Sequence, residues 1–381
     1  MIRHNEGFTL TELLITMAVL VLVLSAASEV FTGLLTHFKQ QGKIAESNME
    51  GNVGLEMMRR DLGHAGYGLP WSFQNSIHYS EASGHPARKY NDAPGSPPRA
   101  FVSGNNTGPN GSDYLVIKAT NVARNKTCDK WTVLGPLPFV APYNPRSWIP
   151  QTENLAKSDR VIIIAPGDTG FSRSLVMSAE VFSTNYGSIM NSPWSPSETA
   201  GTRIVYGVDP DTVLRMPFNR ADYFISQANV PKKCAPNTGV LEKAIINQGN
   251  GGQSFLPILD CVADFQVIYR LDMDGDGAAE TESDADGSVV LSADGNANAA
   301  SVMSTFQNAA DLRRRLREIR VYILAHEGQK DAHYGYPENT ITVGEYGLGS
   351  SFKLNEKIGT EWTHYRWRVY SIIVKPGNLM G

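Results

Sequence analysis

Glu12 is the side chain with the most to explain. It stands five residues after Gly7, at the start of a segment from Phe8 to about Leu35 that is nearly unbroken in apolar character. An ionised carboxylate near the middle of a bilayer helix costs roughly 2.5–3.5 kcal/mol or more, so such an acid has a role and a partner. Cleavage between Gly7 and Phe8 would supply that partner. The freed α-ammonium of Phe8 has the opposite sign, and in a stack of identical helices it could equally come from a neighbouring subunit.

A second pointed stretch is Asp272-Met273-Asp274-Gly275-Asp276-Gly277-Ala278-Ala279-Glu280. Carboxylates at positions 1, 3 and 5, glycine at 6 and an acid at 9 match the first part of an EF-hand-like Ca²⁺ loop. Asp272, Asp274, Asp276 and Glu280 are the expected ligands, with the carbonyl of Ala278. Position 12 is Ser283 rather than a bidentate Glu, so Glu282 or Asp284 would have to close the shell. The competing reading is a solvated acidic hairpin. An ion there would pin a surface loop, because Ca²⁺ with filled coordination activates little.

The remaining candidates are weaker. Of three cysteines, Cys234 and Cys261 are the expected pair, closing a loop of about 28 residues for about 3–4 kcal/mol in the chain-entropy model. Cys128 is then free, and three reduced thiols are the alternative. Arg313, Arg314, Arg315, Arg317 and Arg320 read as a solvated face or as a partner of the acidic loop upstream. Trp131, Trp148, Trp194, Trp362 and Trp367 read as core or loop anchors. The eight histidines are scattered, without an H-E-x-x-H pair, and neither a Walker loop nor a G-x-S-x-G elbow is present. Net charge is −4, so no strong field calls for nucleic acid.

The elements that position these residues follow from periodicity. One helix is expected from Phe8 to Leu62, about 80 Å at 1.5 Å per residue. Residues 8–35 would be its apolar half and 36–62 an amphipathic half. In the latter, Ile44, Gly51, Leu55, Met58 and Leu62 make one stripe, and Ala45, Met49, Val53 and Met57 another. Two stripes suit two partners, the chain's own sheet and neighbouring subunits. Gly63, Gly66, Gly68 and Pro70 end the helix. Residues 70–112 read as a long loop. Strand-like runs follow at Tyr114–Lys118, Val161–Ala165, Ile204–Val208, Tyr223–Ser226, Val262–Leu271, Ile319–Ala325 and Trp367–Val374, with the best later helix at Gln307–Leu316. One long helix followed by many strands predicts an α+β fold, with an antiparallel sheet packed on the helix.

The Gly7/Phe8 junction, Glu12 and the retained apolar run resemble the class III signal of type IV pilins and of the pseudopilins of type II secretion. Thr11 departs from the usual apolar residue before the acid. An ordinary secretory signal would place its cleavage site after the apolar run, not before it. Leu55 through Tyr67, Ser112–Lys118, Asp260–Asp272, Arg320–Lys330 and Tyr365–Lys375 are similar to PilW-type minor pilins. The resemblance implies a leader of residues 1–7 removed by a prepilin peptidase that then methylates Phe8, and a head over residues 63–381 carrying the 272–284 loop. It further implies a non-enzymatic subunit that helps to initiate a filament, near its tip. Its partners would be other minor pilins, the major pilin, the inner-membrane assembly platform and a PilY-type tip adhesin. The chain would sit in the inner membrane with its head in the periplasm, then at the cell surface in the pilus. The rival class is a membrane-tethered periplasmic binding protein or hydrolase that never enters a filament.

Overall fold

In the computed structural model, which describes residues 9–73, 75–135, 145–167, 173–196 and 201–379, one helix dominates. Helix α1 runs unbroken from Leu10 to His64, 55 residues with no proline among them. Its N-terminal half stands clear of the rest of the chain: Leu10–Leu35 is a 26-residue apolar stretch with none of its span buried. Only the C-terminal half meets the head. Gly51, Gly54, Leu55, Met58 and Leu62 are buried there, while Ala45, Met49 and Val53 face outward. The two expected stripes therefore separate, one covered by the head and one left open as far as Val53, while Met57 of the second stripe is half-buried against the head's core; the side chain of Ile44 lies outside what the structure describes. Burying a Leu or Met side chain fully is worth about 1.5–3 kcal/mol, so three of them hold this half of α1 firmly. At Gly54 the helix touches a strand directly, since a Cβ there would lie 2.1 Å from the carbonyl oxygen of Ile258. Asp61 adds a polar tie. Its carboxylate sits 2.5 Å from the Lys243 ammonium and accepts a 2.7 Å hydrogen bond from the Tyr223 hydroxyl.

The sheet under α1 has nine described strands. Its axis is the 19-residue strand Gln253–Leu271. The first half of this strand pairs antiparallel with Gly239–Ile246, and the second half with Leu316–Glu327, which pairs in turn with Arg366–Val374. The change of partner falls at Cys261, whose φ of 58° is costly for a residue with a side chain, and the register shifts on either side of it. A second sheet of six described strands is built around Arg160–Pro166 and keeps its own core of Leu134, Val161, Ile163, Val205 and Trp194. One of its pairs, Ser72–Phe73 with Arg173–Leu175, is parallel.

Two expectations change. Residues 70–112 contain the strands Ser72–Phe73 and Phe101–Gly104. The Gln307–Leu316 helix is instead two, Ala299–Gln307 and Ala309–Arg315, because Asn308 turns its amide oxygen back onto the N–H groups of Ala310 and Asp311 and caps a new helix. Leu316 already begins a strand.

The segment between residues 75 and 100 is irregular but is held by buried charge. Glu81, Lys118, Arg220 and Asp222 have fully buried side chains. The Lys118 ammonium lies 2.7 Å from both Glu81 and Asp92, and Arg220 bridges Glu81 to Asp222. Burial alone would raise the Asp92 carboxyl, but Lys118 and Arg99 hold it below the usual carboxylate range.

A second buried carboxylate is less well compensated. Burial pushes the Asp113 carboxyl up to about 8, with Asp264 and Asp284 adding to the rise and the backbone N–H groups of Asn106 and Val267 opposing it. Asp264 is pushed up to about 6, again by burial. Such groups bind a proton in the folded chain at a pH where the unfolded chain has already lost it. Their contribution is therefore fully present below the ordinary Asp value of about 3.9 and is lost as pH rises through the folded value. The melting temperature of the head should fall between pH 6 and about 8, and Asp113→Asn should flatten that decline. A flat profile in the parent protein would mean that the two amides keep Asp113 ionised.

Candidate functional site

The N-terminus of α1 is built by two residues. Thr9 is the N-cap, and its backbone N–H donates to the Glu12 carboxylate at 2.9 Å while its hydroxyl accepts from the Glu12 N–H at 3.3 Å. The Thr9 hydroxyl also donates to Glu12 Oε2 at 2.8 Å. This is a capping box: two N–H groups left free at the helix start are satisfied reciprocally. Glu12 thus has a local partner that sequence reasoning missed, although Thr-x-x-Glu before an apolar run is its signature. Gly7 and Phe8 lie outside the described residues, so the junction and the Phe8 ammonium are not placed. Beyond the cap, Leu13, Leu14, Met17, Leu20, Leu24 and their neighbours are exposed on every side of the helix. That surface suits lipid or other apolar helices, and the head covers none of it.

Residues 2–28 match the family profile described as the prokaryotic N-terminal methylation motif. The chain is type IV pilin-like at its N-terminus. Such a motif implies processing by a prepilin peptidase, and the apolar half of α1 is long and apolar enough to cross a membrane. Among solved structures, a type IV-like pilin from Thermus thermophilus is similar over 43% of this chain and 70% of its own, at 13% sequence identity and a TM-score of 0.21. No curated protein matches the sequence.

In the head, the acidic loop brings together three of its six expected ligands. Asp272, Asp274 and Asp276 each place a carboxylate oxygen within 4.8 Å of the others. Asp272 is already engaged: it accepts from the N–H groups of Gly275 and Gly277 and from Arg317, the last at 2.7 Å. Glu280 does not join this carboxylate cluster. Asp284 is drawn elsewhere, because Asn105 and the Ser288 hydroxyl both donate to its Oδ2. Ala278 is exposed on the same loop, its N–H bonded to Asp276.

Cys234 and Cys261 form a disulfide, while Cys128 is free and buried. Burial pushes the Cys128 thiol up to about 12, with the nearby Asp129 charge adding to it, so it is inert at neutral pH. Beside the bridge, His326 accepts a 2.8 Å hydrogen bond from the Ala235 N–H, and burial drives its pKa down to about 3, which keeps the ring neutral. The five arginines do not form one face. Arg317 reaches Asp272, Arg314 pairs with Asp311, and Arg320 pairs with Glu318 and Glu345. Arg315 donates to the Thr305 hydroxyl, and Arg313 stacks over Trp71 at 3.9 Å. Trp194 and Trp367 are buried anchors, whereas Trp131 and Trp148 line an open pocket.

Proposed function

We propose that this chain is a minor pilin of the PilW type: a non-enzymatic subunit that primes assembly of a type IV pilus and sits at or near its tip. One observation carries the reading. The chain keeps a 26-residue apolar half-helix that its own head does not cover, opening on an acid behind a methylation motif. A tethered enzyme or binding protein needs an anchor, but it has no use for Glu12 or for the outward stripe of Ala45, Met49 and Val53. Those features suit neighbours that are helices of the same kind. Other minor pilins, the major pilin, the assembly platform and a PilY-type adhesin are the partners this role entails. The intact mass of membrane-extracted protein should correspond to loss of residues 1–7 plus one methyl group. An N-terminus at Met1, or one beyond Leu35, would remove the pilin reading altogether. The priming role has a separate test. Cells lacking the chain should make few or no filaments, and sheared filaments from the parent should hold it at low copy. Abundant filaments without it would leave a pilin that does not prime.

We also propose a structural Ca²⁺ at the 272–284 loop. Its support is the donor set: three converging carboxylates with the Ala278 carbonyl available, a hard oxygen shell of the kind Ca²⁺ takes. Asp284 is not a ligand in this reading. The protein should melt higher in millimolar Ca²⁺ than in EGTA, the gain reaching about 2.7 kcal/mol at a hundred times the dissociation constant. Asp274→Ala with Asp276→Ala should abolish the difference. An unchanged melting curve in saturating Ca²⁺ would leave a turn neutralised by Arg317.

A further inference from the structure

The pocket walled by Trp131 and Trp148 plays no part in the assembly reading. It is open, has a volume of about 600 Å³ and lies where three parts of the chain converge. Arg60 comes from the last turns of α1, Lys126, Asp129 and Lys130 from the connection ahead of the Trp131–Leu134 strand, Trp148 from a loop and Glu153 from the short 3-10 turn Gln151–Glu153 that follows it. That volume falls within the usual range for small-ligand sites, about 300–1,000 Å³.

The aromatic wall is held in place. The indole N–H of Trp148 donates to the Trp131 carbonyl at 2.7 Å. Its backbone N–H donates to the Asn154 side-chain oxygen at 2.7 Å, and the Asn154 amide returns a 2.9 Å bond to the Trp148 carbonyl. The Arg146 guanidinium stacks on the Trp148 ring at 4.3 Å. The two indoles meet at 4.8 Å between ring centroids, inclined by 52°. A loop tryptophan fixed by its own backbone and side-chain bonds loses little freedom when a ligand arrives, which is the condition for binding at low entropic cost.

The polar wall selects the ligand. Arg60 and Asp129 form a 2.9 Å ion pair with side chains 58% and 52% exposed, so the pair adds little to stability. Lys126 and Glu153 are exposed on the same pocket, and Lys130 leans towards Asp159 at 3.7 Å. Charged groups of both signs thus share the pocket with two apolar rings. A polyanion would be drawn to an unbroken positive wall and repelled by Asp129 and Glu153. A purely apolar molecule would have to desolvate five charged groups. A sugar satisfies both walls, because each hydroxyl donates and accepts while the C–H face of the ring packs on an indole.

We propose that this pocket binds a neutral saccharide, with Trp131 and Trp148 as the stacking wall and Arg60, Asp129 and Glu153 as hydroxyl partners. The test uses the full chain in nanodiscs free of sugar-headed detergent. Saturation-transfer NMR is run with cellotetraose, maltotetraose and tetra-N-acetylchitotetraose, and with tetragalacturonate and an oligothymidine as charged comparators. At least one neutral tetrasaccharide should show transfer to its ring C–H protons at about 10 mM or below. Trp148→Ala should weaken that binding about tenfold or more, of the order seen when a central aromatic anchor is truncated. Should Trp148→Ala lower the melting temperature, Glu153→Gln, at an exposed position, should still weaken binding severalfold in a normally folded head. The proposal is overturned if no neutral tetrasaccharide gives transfer at saturating concentration. It is equally overturned if the folded variants bind like the parent, or if oligothymidine or tetragalacturonate binds in preference to every neutral sugar.

Discussion

Replacing Glu12 with valine is expected to give a chain that enters the membrane, is cut after Gly7 and folds a normal head, yet is missing from sheared filaments. Glu12 lies in the exposed half of α1, and its polar contacts are with Thr9, at the same end of the helix. Removing it therefore leaves the head's packing around Leu55, Met58 and Leu62 untouched. Two different losses follow at the helix start. Loss of the Glu12 half of the capping box frees the Thr9 N–H and loosens the first turn of an isolated subunit, while the Thr9 hydroxyl still caps the N–H of residue 12. Loss of a charge pair with a Phe8 ammonium, its own or a neighbour's, is larger, because breaking a buried pair typically costs about 3–5 kcal/mol by leaving one charge uncompensated. Glu12→Gln separates the two, since glutamine keeps the capping geometry and drops the charge. If charge drives assembly, Gln and Val fail alike when filament and membrane fractions are compared. Wild-type incorporation of the Gln variant would assign Glu12 to capping. Wild-type incorporation of the Val variant would dispose of both mechanisms.

The parts of this molecule that could be read from its sequence are those in which neighbours along the chain do the same work. Leu55, Met58 and Leu62 repeat at helical spacing, and the odd positions from Phe265 to Leu271 are apolar, so α1 and the central strand announce themselves, although that strand is covered on both faces, with Gln266 and Ile268 buried too. Asn308 had a local signal too, but a single capping residue inside a helical pattern is easily outvoted by the apolar periodicity around it. The ionic lock of the head left no such trace. Arg220 and Glu81 are 139 residues apart, and an acid in a proline-rich stretch reads as part of a solvated loop. The change of sheet partner at Cys261 was equally hidden, because a left-handed backbone is expected at glycine or asparagine and not at cysteine. Around the acidic loop the spacing of Asp272, Asp274 and Asp276 was informative about which groups meet. The fate of Asp284 depended on Asn105, far away in sequence, and could not be foreseen.

Arg220→Met should be the most damaging single change in the head. All five N–H donors of the guanidinium are used: two on Asp222 at 2.7 and 2.8 Å, one each on Glu81 and Asn91 at 2.9 and 2.7 Å, and one on the Ala87 carbonyl at 2.8 Å. Methionine fills much of the same volume and supplies none of these bonds. Asp222 would keep the Tyr114 hydroxyl at 2.5 Å but no cation, and Glu81 would share Lys118 with Asp92. Removing one member of a buried pair costs about 3–5 kcal/mol, set by the stranded charge rather than by the lost attraction. That is a large part of the 5–15 kcal/mol by which a folded domain is usually stable. Because Arg220 also holds Glu81, Asn91 and Ala87, the segment between residues 75 and 100 should loosen first and become sensitive to protease before the sheet melts. Two comparisons isolate the cause. Lys353→Met breaks an ion pair whose side chains are 53% and 58% exposed, and should cost no more than about 1 kcal/mol. Arg220→Met combined with Asp222→Leu removes a stranded carboxylate and should recover part of the loss, as replacing both members of a buried pair with apolar groups often does. Urea unfolding of the detergent-solubilised chain, followed by near-ultraviolet circular dichroism, gives all three values. If Arg220→Met loses no more stability than Lys353→Met, the buried charges do not hold this segment and its contacts with the sheet must be carried by Ile77, Tyr79 and Tyr90.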